Sequence, residues 1–280
     1  MSVVWDDGST PEPVRITPMG WLRAILRGGL IVTVIALGLL LMLLLRLIER
    51  PLFGVSRPIT PWITQTVCTL TLAILGLKLR LSGRQMRARK GAVVANHASW
   101  LDIFVLNARK RVYFVSKDEV ADWPGIGWLA KATGTVFIRR DRREAAAQVE
   151  LFRTRLEAGH KLLFFPEGTS TDSRRVLPFK TTLFAAFFDP RLRDIAHIQP
   201  VTLIYHAPPG RDARFYGWWG NQTMGPHLLK VLAERRNGSV EVIYHEPVRV
   251  ADFEDRKALA AWCEQAVRAP LDIALAAEKR

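Results

Sequence analysis

Cysteine is scarce: only Cys68 and Cys263 occur in 280 residues. One sits in an apolar N-terminal region and the other in a helical pattern far along the chain. A disulfide framework is therefore not expected, and a reducing compartment is. No Gly-x-Ser-x-Gly elbow, paired-cysteine spacing or His-Glu-x-x-His run is present, which removes the sequence signals of an elbow-type hydrolase and of a zinc enzyme. Acidic residues are also few, 26 against 40 lysines and arginines, leaving a formal charge of +14 and a pI near 10.4. Such a surplus points to an anionic partner. Zinc-finger spacing, a recognition-helix pattern and the aromatic-glycine motif of RNA binders are all missing, so nucleic acid is not the expected partner. An anionic bilayer fits better, because 49% of the residues are hydrophobic and they cluster near the N-terminus.

That cluster contains 18 uncharged residues, Gly28 to Leu45, between Arg27 and Arg46. The run is about long enough for a helix to cross the hydrocarbon layer. A signal peptide would start earlier and end at small residues, whereas Arg46, Glu49 and Arg50 follow here. A buried core helix is the other alternative. A second uncharged run, Pro58 to Leu77, is interrupted by Thr60, Thr64, Gln65, Thr69 and Thr71. It is expected to lie in the interface or pack on the first helix rather than span. Residues 78–90 hold Lys78, Arg80, Arg84, Arg87, Arg89 and Lys90 and no acid, which reads as a basic linker able to attract anionic head groups, or as a plain solvated one. Arginines flank the first run on both sides, so the positive-inside rule does not fix its orientation. The basic remainder argues for the cytoplasmic face of the inner membrane.

Beyond residue 91, short apolar runs alternate with helical patterns. Strands are expected at Ala92–Ala95, Arg111–Val115, Thr135–Ile138, Leu162–Phe165, Ile198–Tyr205 and Val240–Tyr244. Helices are expected at Arg142–Ala158, ending at Gly159, and at Leu228–Arg236 after Pro226. A third, Glu254–Lys279, should break or kink at Pro270. This alternation implies an α/β sheet with helices on its faces, preceded by N-terminal membrane helices. The aromatic clusters around Trp123 and Trp128 and at Tyr216–Trp219 are read as core packing.

The chemistry begins at Asn96-His97-Ala98-Ser99-Trp100-Leu101-Asp102, directly after the first strand. Histidine can take a proton near neutral pH, and a carboxylate can hold its tautomer and steady the imidazolium. Five positions on a helix turn through about 500°, off a shared face. The two therefore meet only if His97 lies in the turn and Asp102 in the first turn of a helix capped by Ser99. The same residues also read as a capping box, with Asp102 closing the helix start and His97 an ordinary turn residue.

Three further segments accompany this one. Phe165-Pro166-Glu167-Gly168-Thr169 places a carboxylate and a flexible backbone at a strand's carboxyl end, where open α/β sheets bind ligands; a tight turn with a solvated glutamate is the plainer reading. Gly134–Arg143 is a short strand running into Arg139, Arg140, Arg142 and Arg143. Arginines suit phosphate or carboxylate, and at a helix start they oppose the dipole. Ile198–Tyr205 is a strand-like run with little chemistry of its own.

In this order, from about Ala92 to Tyr205, the four segments resemble the blocks of the glycerolipid (1-acylglycerol-3-phosphate-type) acyltransferase family. The resemblance implies a mixed sheet flanked by helices. It also implies transfer of a fatty acyl group from an acyl carrier protein or CoA thioester to the hydroxyl of a membrane lysolipid, with no bound cofactor or metal. His97 would match the general base and Asp102 its orienting acid. Glu167, Gly168, Thr169, Arg140 and, in Pro178-Phe179-Lys180, Lys180 would match acceptor-binding positions. The chain would then divide into a tail (1–27), a membrane-anchoring region (28–77), the basic linker (78–90) and an acyltransferase domain (91–280).

One departure bears on the acceptor. The family's third block commonly continues Thr-Arg-Ser, but here it reads Thr169-Ser170-Thr171-Asp172, with Arg174 and Arg175 as possible substitutes. The loss suits an acceptor other than a phosphomonoester. Together with Tyr216-Gly217-Trp218-Trp219-Gly220, the block looks most like the branch that acylates lyso-ornithine lipid, with 1-acylglycerol-3-phosphate as the second acceptor. A non-enzymatic membrane adaptor, using the basic and aromatic surface alone, is the competing reading of a different class.

Overall fold

The computed structural model describes residues 4–9, 11–13, 15–139 and 142–278. The first helix, α1 (Pro18–Phe53), is longer than the uncharged run within it. Thr17 caps it by accepting from the Gly20 N–H, and Pro18 follows where no N–H is needed. Its 36 residues extend about 54 Å at 1.5 Å per residue. The helix is long and apolar enough to cross a membrane, and almost none of its most apolar stretch is buried in the protein.

Helix α2 (Thr60–Leu75) packs on α1, one of the two arrangements expected for the second apolar run. A Cβ at Gly38 would lie 2.4 Å from Val67 Cγ2, so the missing side chain lets the helices approach. The Glu49 carboxylate joins their ends, accepting from the Ile59 and Thr60 N–H groups and the Thr60 hydroxyl at 2.8, 3.1 and 2.6 Å.

The remaining elements follow in chain order: β1 (Lys78–Gly83), β2 (Gly91–Ala95), α3 (Leu101–Asn107), β3 (Tyr113–Lys117), α4 (Ile126–Thr133), β4 (Val136–Ile138), α5 (Ala145–Glu157), β5 (Lys161–Phe164), α6 (Pro190–Arg193), β6 (His197–His206), α7 (Met224–Ala233), β7 (Ser239–Tyr244), β8 (Val248–Arg249) and α8 (Arg256–Ala277). The strands form one mixed sheet in the order β1-β7-β6-β2-β5-β3-β4, with β8 beside β6. β6 is antiparallel to β7 and β8, and the other pairs are parallel. The central strands β2 and β5 are buried along their whole length, as their unbroken apolar runs require. One face is covered by α2, α3 and α7, the other by α5, α8 and the turns near Phe184 and Phe187.

Several expectations are corrected. The first half of the segment 78–90 is not linker: Lys78–Gly83 pairs with β7 as an exposed edge strand, so Lys78 and Arg80 can stay in solvent while the backbone is paired. Pro270 does not end α8, whose buried face (Leu259, Cys263, Val267, Leu271) holds it against the sheet. The Thr202 hydroxyl donates to the Val267 carbonyl one turn before the proline. α7 starts earlier and ends sooner than expected, with Pro226 in its first turn. Trp123 and Trp128 are 45% and 77% exposed and are not core residues, whereas Trp219 is buried.

Candidate active site

β2 ends at Ala95, and the next residues cross the carboxyl end of the sheet between β5 and β6. Asn96 fixes this exit: its amide donates to the Leu203 carbonyl and its carbonyl accepts from the Leu203 N–H, at 2.9 and 2.7 Å. The chain then turns into α3, and the two readings of the heptapeptide prove compatible. Asp102 Oδ2 accepts from the Ala98 and Ser99 N–H groups at 2.8 and 3.0 Å, closing the helix start as a capping carboxylate does. The same oxygen lies 2.7 Å from His97 Nδ1. A carboxylate oxygen accepts only, so Nδ1 carries the proton and Nε2 presents its lone pair.

Asp102 is fully buried, and its other oxygen accepts from the Tyr205 hydroxyl at 2.6 Å. Burial and the Asp102 charge push the Tyr205 phenol well above its usual range, so it remains a neutral donor. The His97 ring is partly exposed and stacks on Phe165 with centroids 4.1 Å apart. Its backbone is held on both sides: the N–H donates to Glu167 Oε1 at 2.7 Å, and the carbonyl accepts from the Thr171 N–H at 3.0 Å.

Glu167 was expected at the acceptor. Its carboxyl is instead occupied by the protein's own backbone, the His97 N–H on one oxygen and the Leu177 N–H, at 2.7 Å, on the other. The residue is 1% exposed, and burial lifts its carboxyl to about 8 although both N–H groups favour the charged form. Next to it, Gly168 takes a φ of +73°, and a Cβ there would lie 2.7 Å from Lys180 Nζ. Lys180 thus lies across the Glu-Gly-Thr turn. Thr169 Oγ1 accepts from the Trp5 N–H at 3.5 Å, bringing the N-terminal segment against the same loop. Arg140 falls outside the described residues, and its neighbour Arg139 pairs with Asp118 at 2.6 Å.

The two substitute arginines are committed elsewhere. Arg175 donates from Nε and Nη2 to the carboxylate of the fully buried Asp172, at 3.1 and 2.8 Å, and lies over the Trp5 ring. Arg174 pairs with Glu278. Among the described residues, this loop has no guanidinium without a carboxylate partner.

Tyr205 and His227 carry no sequence signal for their roles. His227 accepts from Trp100 Nε1 and donates to the Gly217 carbonyl, both at 2.9 Å, tying the start of α3 to the aromatic loop. Burial pushes its imidazole down to about 3, which suits a ring that accepts on one nitrogen and donates from the other. Among the described residues, no group of three His, Cys, Asp or Glu side chains is placed to hold a metal ion.

The geometry is that of an oriented imidazole base at the rim of a sheet, and comparison with known proteins agrees. A family model described as Acyltransferase matches residues 78–204. A lyso-ornithine lipid O-acyltransferase from Rhodobacter capsulatus is 60% identical over 262 residues, covering 93% of this chain and 95% of that protein. A 1-acyl-sn-glycerol-3-phosphate acyltransferase from Neisseria gonorrhoeae is 33% identical, covering 63% of this chain and 68% of that protein. The crystal structure of the 1-acyl-sn-glycerophosphate acyltransferase PlsC from Thermotoga maritima shares the fold, with a TM-score of 0.57 at 20% identity over 89% of this chain and 97% of that one. The chain belongs to the acyltransferase family.

Proposed function

We propose that this acyltransferase moves a fatty acyl group from a thioester to the free hydroxyl of lyso-ornithine lipid, giving ornithine lipid at the cytoplasmic face of the inner membrane. The observation that carries the chemistry is the 2.7 Å contact of His97 Nδ1 with buried Asp102, which leaves Nε2 as the basic atom of a partly exposed ring. A lipid alcohol attacks poorly until its proton is removed. His97 Nε2 takes that proton as the oxygen bonds to the thioester carbonyl carbon. Asp102 steadies the imidazolium. The carbon–sulfur bond then breaks, and the departing thiolate takes the proton from Nε2, restoring the neutral base.

Gly168, Thr169 and Lys180 form the acceptor side of this site, and the family resemblance assigns Arg140 the same role. Glu167 acts through His97 rather than on the acceptor, by holding the loop's backbone. The acceptor choice is supported by the Asp172–Arg175 pair, which occupies a guanidinium that a phosphomonoester would need. It is also supported by the 60% identity to a protein named for that reaction. The second acceptor, 1-acylglycerol-3-phosphate, is favoured by the likeness to the Neisseria protein. The net charge of +14 suits an acidic acyl carrier protein as the donor's vehicle.

The test uses the full chain reconstituted in vesicles and a labelled acyl thioester, on carrier protein or on CoA, with each lysolipid in turn. Mass spectrometry should find label mainly in ornithine lipid. Label mainly in phosphatidic acid would transfer the assignment to the second acceptor.

A further inference from the structure

A cavity of about 820 Å³ lies at the edge of the sheet opposite His97, beside the start of β4 and the C-terminal turns of α1. Its cations come from five places in the chain: Arg46 and Arg50 of α1, Arg57 between α1 and α2, Lys131 of α4, and Arg155 of α5. Among the described residues, no acidic side chain lines it. The nearby Glu49 is already engaged by Arg46, Thr60 and the Ile59 backbone.

Two of the cations, Arg50 and Lys131, lie in the last turns of their helices, where the dipole favours positive charge. The dipole does not explain their convergence with two fixed arginines. Arg57 is anchored by the Ala132 carbonyl at 2.8 Å, and Arg155 by the Gly134 carbonyl and His160. Burial, and then the Arg46 charge, hold both guanidiniums below their usual range, and the nearby carboxylate, Glu49, is paired with Arg46. The Arg50 and Lys131 side chains have no ion-pair or hydrogen-bond partner among the described residues. The cavity's other walls are mainly apolar, with the hydroxyl residues Thr135 and Thr154 among them. Leu43 belongs both to it and to the exposed apolar surface of α1, so the cavity opens beside the surface that lipid would cover.

Preformed arginine forks beside an apolar stripe match one kind of ligand, a phosphate joined to acyl chains. We infer that this cavity binds the head group of an anionic phospholipid, whose acyl chains lie along α1 beside Leu43. The site is separate from acyl transfer, because β4 begins at the cavity whereas His97 follows the carboxyl end of β2. Occupancy would anchor the end of α1 to the globular domain and give the protein a preference for anionic membranes. The inference does not depend on the acyl-transfer reading.

The test is native mass spectrometry of the full chain in nonionic detergent, titrated with phosphatidylglycerol, with phosphatidylcholine, or with inorganic phosphate. Wild-type protein should retain one phosphatidylglycerol per chain, and neither phosphatidylcholine nor equimolar phosphate should replace it. The double variant Arg50→Gln/Lys131→Gln removes two cations that hold no other group. Its lipid-free melting temperature should be unchanged, and its affinity for phosphatidylglycerol about thirtyfold lower. Equal retention by the variant, equal retention of phosphatidylcholine, or displacement of the lipid by free phosphate would overturn the inference.

Discussion

The Tyr205 hydroxyl sits 2.6 Å from Asp102 Oδ1, on the opposite side of the carboxylate from His97. One buried acid thus links the imidazole to a strand residue that lies 103 positions beyond the acid itself. The phenol both fixes the carboxylate plane and draws charge away from the His97 side. Tyr205→Phe should lower kcat on the order of tenfold with little change in KM, in line with about 1.5 kcal/mol for a hydrogen bond to a charged group. A tyrosine with no part in the reaction would lower the melting temperature and leave kcat unchanged.

Glu167 supplies a dependence of stability on pH. In the folded protein its carboxyl titrates at about 8, raised from the ordinary 4.5 mainly by burial. Between those values the native state holds a proton that the unfolded chain has released. Its contribution is therefore full below about 4.5 and is lost as pH rises to about 8. The unfolding free energy of wild type should fall across this window by up to a few kcal/mol relative to Glu167→Gln, which cannot titrate. Parallel curves for the two proteins would remove Glu167 as the source. The variant should also lose activity, since a glutamine cannot accept from both the His97 and Leu177 N–H groups through its two terminal atoms.

Asp172 holds the Arg175 guanidinium in a bidentate pair, and in the proposed function this withholds it from the acceptor. In Asp172→Asn the side-chain oxygen can still accept from the Arg174 N–H, but the bidentate pair with Arg175 is gone. The ratio of kcat/KM for 1-acylglycerol-3-phosphate to that for lyso-ornithine lipid should rise on the order of tenfold, the worth of about 1.5 kcal/mol of charge-assisted contact. An unchanged ratio would mean that the loop's guanidinium has no part in choosing the acceptor.

The buried framework was readable because fully covered strands need unbroken apolar runs, as at Ala92–Ala95 of β2 and Leu162–Phe164 of β5. The edge strand β1 escaped for the complementary reason: with one side unpaired and its side chains in solvent, Lys-Leu-Arg-Leu-Ser-Gly has the composition of a linker. At the site, the His97–Asp102 pair was legible because its spacing allows only one local geometry. Glu167 was placed at the right loop but given the wrong neighbour, since a sequence does not say whether a carboxylate faces a ligand or backbone N–H groups. Tyr205 and His227 were missed because their partners, Asp102 and Trp100, are joined to them only by the folded sheet.

The central claim is that the His97 imidazole removes the proton from the attacking alcohol, and acyl transfer by His97→Ala tests it most directly. The variant should co-sediment with membranes and melt as wild type does, while turnover with an acyl thioester and lyso-ornithine lipid falls about a thousandfold. Turnover within a fewfold of wild type, in protein shown to be folded and membrane-bound, would contradict it.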